Sequence, residues 1–176
     1  MRLGRTGWLV LLLALGLAYA VFAHWLTTAE GGAALGRFAP YVPWFYYLQH
    51  LVMFVALAAW FGASLRAGRE PLVTRFARLA GEALDAPGLA YTRGATLAWA
   101  AFCAAMAAAS TLLYFLAPLE AWSLFANVLS LPLVGAMFAA EFAVRLRARP
   151  ELCHGGVLRS VLAYWERGAS HSPGAR

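Results

Sequence analysis

Long apolar runs alternate with short polar segments along this chain, and the length of each run decides what it can be. Four runs, at about 8–26, 44–65, 94–117 and 121–144, each hold roughly the 20 residues that a helix needs to cross a ~30 Å hydrocarbon layer. Each therefore reads as a membrane span. The first contains Ala18-Tyr19-Ala20, which imitates a signal-peptide cleavage site. Its apolar character continues through Val21 to Trp25, so an uncleaved span is the expectation and a cleaved leader the alternative. Residues 27–43 carry Gly31, Gly32, Pro40 and Pro43 and read as a loop. The aromatic residues at its end, Tyr41, Trp44, Tyr46 and Tyr47, have the composition of a membrane–water boundary.

The polar stretch 66–93 has a helical pattern of its own. Leu72, Val73, Phe76, Leu79, Ala83 and Leu84 recur on one face, and Arg75, Arg78, Glu82 and Asp85 fall on the other. With Pro71 suited to a first turn, this predicts an amphipathic surface helix over 71–84; a solvated connector with one apolar side is the alternative. In the third run Ala100, Ala104 and Ala108 form one line and Ala101, Ala105 and Ala109 another, a spacing that lets helices approach closely in lipid. Pro118-Leu119-Glu120 then predicts a tight antiparallel hairpin into the fourth run. From 148 onward a polar tail follows, with a second surface helix expected around Val157, Leu158, Val161, Leu162 and Trp165. The fold class expected is all-α: an integral membrane antiparallel four-helix bundle with short cytoplasmic amphipathic helices.

Composition sharpens that picture. The 176 residues are 62% hydrophobic and 12% charged, with mean hydropathy +0.66, about half the charge of a soluble domain. All fourteen basic residues are arginine, which together with the many alanines fits a GC-rich bacterial coding sequence. A net charge of +6 would ordinarily raise nucleic acid as a partner. Here thirteen arginines lie in 1–7, 66–93 and 145–176, at the ends of apolar runs, and only Arg37 lies in the remaining loop. The positive-inside rule then places both termini and the 66–93 segment in the cytoplasm of a bacterium, with the chain in its inner membrane. Nucleic acid is not an expected partner. Cys103 and Cys153 imply neither a disulfide nor a metal site.

Polar residues inside spans are the candidates for chemistry. Counting at ~1.5 Å per residue puts His50, Asn127 and Thr111 at a similar depth, roughly 9 Å from the outer end of their spans. Gln49, Ser110, Tyr114, Ser123 and Ser130 lie near the same level, and His24 lies somewhat nearer the outside. The candidate outer layer is therefore Gln49, His50, Thr111, Ser123 and Asn127. Interhelical hydrogen bonding explains most of it; for His50 a proton-carrying role weighs equally. Glu141 falls about fourteen residues, ~21 Å, further along the fourth run, beside Arg145 one turn on. The candidate cytoplasmic-face cluster is Arg66, Arg69, Glu70, Arg93, Glu141 and Arg145, most simply ion pairs at helix ends and otherwise a relay or headgroup site. Pro132 should free the carbonyl of Val128 and kink the helix below Asn127. No nucleotide loop, nucleophile elbow or zinc motif is present. His24 and His50 alone are too few to predict haem, so no cofactor and no metal are expected.

The pieces FYYLQHLVMFVALAAWFGASLRAGREPLVTRFAR, YTRGATLAWAAFCAAMAA and WSLFANVLSLPLVGAMFAAEFAVR resemble an uncharacterised family of small bacterial inner-membrane proteins. The resemblance covers about 45–147. It is carried by Gln49-His50, Gly68 to Pro71, Tyr91 to Arg93, Trp122 with Asn127, and Glu141 with Arg145. Members resemble proteins found near fatty-acid-like or aryl-polyene-like biosynthesis genes, which implies an accessory role in envelope lipid or pigment assembly. The family carries no reaction over to these residues.

The function expected is a non-enzymatic accessory or scaffold component of an envelope lipid or pigment biosynthesis or export system. Its partners would be membrane lipids, other membrane or biosynthetic proteins, and copies of the chain itself. A small proton-coupled carrier or channel-like protein using His50, Asn127 and Glu141 is the first alternative. A membrane-embedded enzyme acting on an acyl or isoprenoid substrate through Arg69, Glu70 and Arg93 is the second.

Overall fold

The computed structural model describes residues 5–27 and 35–148, with side chains for 14–27 and 35–147. The surface helix expected around Val157–Trp165, and Cys153 with it, lie outside the described residues. Within them the chain is all-helical, 86% helix with no strand. The order is α1 (Arg5–Thr27), a 3-10 turn (Gly36–Phe38), α2 (Tyr41–Ser64), α3 (Leu72–Leu79) and α4 (Ala86–Leu116). Then come α5 (Leu119–Ser123), a π-helical turn (Leu124–Leu129) and α6 (Ser130–Ala148). Among the described residues three helical stretches are long and apolar enough to cross a membrane: α2, α4 and the run Leu119–Arg147, at 24, 31 and 29 residues.

Several boundaries move from their expected places, each for a local reason. Pro43 lies inside the first turn of α2 rather than before the helix, where its missing N–H costs nothing. The surface helix stops at Leu79 rather than 84. Gly81 takes φ +84°, and the amides of Gly81 and Glu82 return to the carbonyls of Arg78 and Ala77, the bonding that closes a helix C-terminus. Helix α4 begins eight residues before the expected 94, because Asp85 caps it: its Oδ1 accepts from Gly88 N at 2.9 Å. The hairpin is tighter than expected, since Leu119 and Glu120 are already helical.

The described residues divide into two compact units, one within 5–58 and 101–136 and the other within 59–100 and 137–148. In the first, α1 packs against α5 and the π turn. One cluster joins Phe54 with Cys103, Met106 and Ala107, and another joins Tyr47 with Trp122 and Ala126. Trp122 is fully buried, and its Nε1 donates to Ser110 Oγ at 3.1 Å, satisfying the one polar atom of a large apolar ring. Tyr47, one of the aromatic residues at the start of α2, is a core residue stacked on Tyr114 at 4.3 Å. Ala101, Ala104, Ala105 and Ala108 are exposed, so the packed line of α4 here is Cys103, Met106, Ala107 and Ser110. Where a simple kink was expected above Pro132, the helix widens into the π turn. Pro132 has no N–H to give the Val128 carbonyl and its ring crowds that oxygen.

In the second unit α3 is docked through its polar start. The first amides of a helix have no partner within it. Those of Leu72 and Val73 donate to Ser64 Oγ at 3.1 Å and Thr96 Oγ1 at 3.2 Å. Thr74 and Thr92 pair through their hydroxyls at 2.7 Å, and Leu72, Val73 and Ala77 are buried beside them. The apolar face expected of this helix is therefore split. Phe76 and Leu79 point outward, 50% and 76% exposed.

Candidate functional site

Two groups of polar side chains stand out, one in each unit. In the first unit the centre is Ser123, at the end of α5 and fully buried. Its hydroxyl lies 2.7 Å from His24 Nδ1 and in a close hydrogen bond with Thr27 Oγ1, both on α1. Asn127, one turn further along, donates through Nδ2 to Ser123 Oγ at 3.2 Å and to Thr27 Oγ1 at 3.5 Å. Thr27 returns its own hydroxyl to the Ala23 carbonyl at 2.9 Å. The group ties α1 to α5 and the π turn.

His50 belongs elsewhere. Its Nε2 lies 2.8 Å from Ser130 Oγ, which also reaches the Phe125 carbonyl at 3.0 Å, and its ring packs on Phe54 at 4.7 Å. Nδ1 of this buried ring has no hydrogen-bond partner. The single outer layer centred on His50 and Asn127 is thus two separate groups. Thr111 enters neither: it bonds the Ala107 carbonyl at 2.9 Å and meets Tyr47 Oη at 3.3 Å. Gln49 is exposed, because a neighbour of a buried residue is turned ~100° away around the helix. Depth counting sorts residues by level but says nothing of direction around the axis, and it left out the bonds of His24 and Thr27.

In the second unit the centre is Arg145. It lies between Glu82 Oε1, 3.0 Å from Nη1, and Glu141 Oε1, 3.3 Å from Nε. Tyr91 Oη donates to that same Glu141 oxygen at 3.0 Å. The side chains of Glu82, Glu141 and Arg145 are only 5%, 17% and 19% exposed, so this is a largely desolvated group. The other members of the expected cluster stand apart from it. Arg69, Glu70 and Arg93 line an open cleft of about 530 Å³ together with Thr74, Arg78 and Leu89. There Arg78 Nε pairs with Glu70 Oε1 at 3.1 Å, and Arg93 Nη2 donates to the Leu65 carbonyl at 3.1 Å. Arg66 is exposed and joins neither group. Periodicity places Glu82 on the polar face of a helix over 71–84; the helix ends at Leu79, and Glu82, just past Gly81, pairs with Arg145 instead.

No family model, curated protein or solved structure matches this chain. Chemistry must therefore be judged from the groups themselves. Among the described residues no three His, Cys, Asp or Glu side chains come together as metal ligands. His24 and His50 are each held by a different serine, and among the described residues neither imidazole has a carboxylate on its other nitrogen to orient it as a base. Both groups instead satisfy polar atoms between helices.

Proposed function

We propose that the chain is an integral protein of the bacterial inner membrane, an antiparallel four-helix bundle with both termini cytoplasmic, acting as a non-enzymatic accessory or scaffold. The observation that carries this reading is the use made of the polar side chains. Arg145 bridges Glu82 and Glu141, and Ser123 joins His24, Thr27 and Asn127, so groups that could have served chemistry serve attachment. Polar ties of this kind suit helices in lipid, where packing and hydrogen bonds rather than hydrophobicity hold segments together. The three long apolar helices and the arginines at the ends of the runs support the membrane placement. The resemblance of 45–147 to small inner-membrane proteins supports a place in envelope lipid or pigment assembly. Affinity purification of the full chain from native membranes tests the role. A stoichiometric set of biosynthetic or export proteins is the expected result, and an isolated chain that converts an acyl or isoprenoid substrate would refute it.

One observation favours a second reading, a proton-coupled carrier: the unpartnered Nδ1 of buried His50. Proton flux into liposomes abolished by His50→Phe would support it, and flux absent from the wild type would end it.

A further inference from the structure

The cleft beside α3 is built differently from the two buried groups. Three guanidinium groups, Arg69, Arg78 and Arg93, line it against the single carboxylate of Glu70. The Arg69 side chain has no ion-pair or hydrogen-bond partner among the described residues, its backbone amide alone reaching the Arg66 carbonyl at 3.1 Å, and Arg93 commits one side-chain N–H to the Leu65 carbonyl. The one internal pair, Arg78 with Glu70, is 59% and 39% exposed, and such pairs hold weakly. Guanidinium groups present five N–H donors in a planar fork that fits phosphate oxygens two at a time. Unspent arginine donors around an open concavity are therefore complementary to a phosphate oxyanion.

The surroundings indicate where that phosphate comes from. The cleft's wall includes the partly exposed Leu89. A second concavity of about 350 Å³ shares Arg69 and Glu70 and adds Arg75 and Trp60, whose ring is 58% exposed. Trp60 belongs to the last turns of the apolar α2, and tryptophan beside arginine at such an end is the pairing that meets lipid headgroups. A free phosphate has no use for these apolar walls; a lipid has.

We infer that the cleft of Arg69, Arg78 and Arg93 binds the phosphate headgroup of an anionic phospholipid, with Trp60 and Leu89 against the adjoining glycerol and acyl carbons. This rests on the membrane reading above, and the two are separable by experiment. The full chain in detergent micelles is titrated with phosphatidylglycerol or phosphatidylcholine of matched acyl chains, and bound lipid is counted by native mass spectrometry. Phosphatidylglycerol should bind about tenfold more tightly. Arg69→Gln should lose most of that preference, and Arg69→Gln with Arg93→Gln all of it; Arg147→Gln, on α6, should keep it. The Arg69 side chain has no partner to lose, so its single variant decides the matter if the double variant fails to fold. Equal binding of the two lipids, or equal loss in Arg147→Gln, would overturn the inference. Displacement of the lipid by millimolar inorganic phosphate would assign the cleft to a soluble anion and overturn it as well. Alkaline carbonate extraction of cell membranes reads the membrane placement separately: a chain that stays in the pellet but shows no lipid preference defeats only the cleft.

Discussion

Arg145 stands between two carboxylates, with its Nη1 3.0 Å from Glu82 and its Nε 3.3 Å from Glu141. Removing the cation leaves two mostly desolvated acids without their counter-charge, with only the Tyr91 hydroxyl still donating to Glu141, the costliest way to break a buried pair. Arg145→Met should lower stability by about 3 kcal/mol, measured as a drop in thermal midpoint by circular dichroism in detergent. Glu141→Gln keeps both the arginine–Glu82 pair and an acceptor for Tyr91, so it should cost less than half as much.

Ser123 is shared by His24, Thr27 and Asn127, and such sharing makes mutational effects non-additive. A double-mutant cycle of Ser123→Ala and His24→Ala should return a coupling of about 0.6 kcal/mol or more, because each change alone already breaks their common bond. Independent effects would mean that the contact between α1 and α5 is carried by packing alone.

The α3 helix ends where Gly81 takes a positive φ, and nothing lies within 4 Å of where its Cβ would be. The cost of a side chain is therefore backbone strain. Gly81→Ala should destabilise by about 1 kcal/mol, whereas Gly62→Ala, in open space within α2, should be neutral or slightly stabilising.

His50→Phe separates packing from proton chemistry. The His50 ring lies against Phe54 and Phe125, and Ser130 retains the Phe125 carbonyl as its acceptor after the change. Stability should shift by less than about 1.5 kcal/mol, read from the same thermal melts. A larger loss would mean that the bond to Ser130 holds the fold.

Run length was enough to read where helices lie, because apolar stretches of this size leave few alternatives. Helix ends were less legible. Asp85 acts through a side-chain cap on the Gly88 amide and Gly81 through its backbone geometry, and the charged stretch around them hid both the cap and the stop. Ser64 and Thr96 were invisible for another reason: their value lies in reaching the first amides of α3, a contact no spacing within one helix encodes. The pairing of Glu141 with Arg145 follows from their four-residue spacing, while Glu82, distant in sequence, does not. His50 and Asn127 share a level in the count yet bond different partners, since rotation around each axis decides which side chains meet.

The central claim is that this chain spans a membrane with its termini and the 66–93 segment on the cytoplasmic side, and labelling from one side tests it most directly. Phe38 and Leu79 are 58% and 76% exposed, and α2 separates them in the chain. Single cysteines at these positions, in a chain with Cys103 and Cys153 changed to serine, are treated in intact cells with a membrane-impermeant thiol reagent that crosses the outer membrane. The account predicts labelling of Phe38→Cys from outside and labelling of Leu79→Cys only after the inner membrane is opened. Labelling of Leu79→Cys in intact cells, or protection of both positions until the cells are opened, would contradict it.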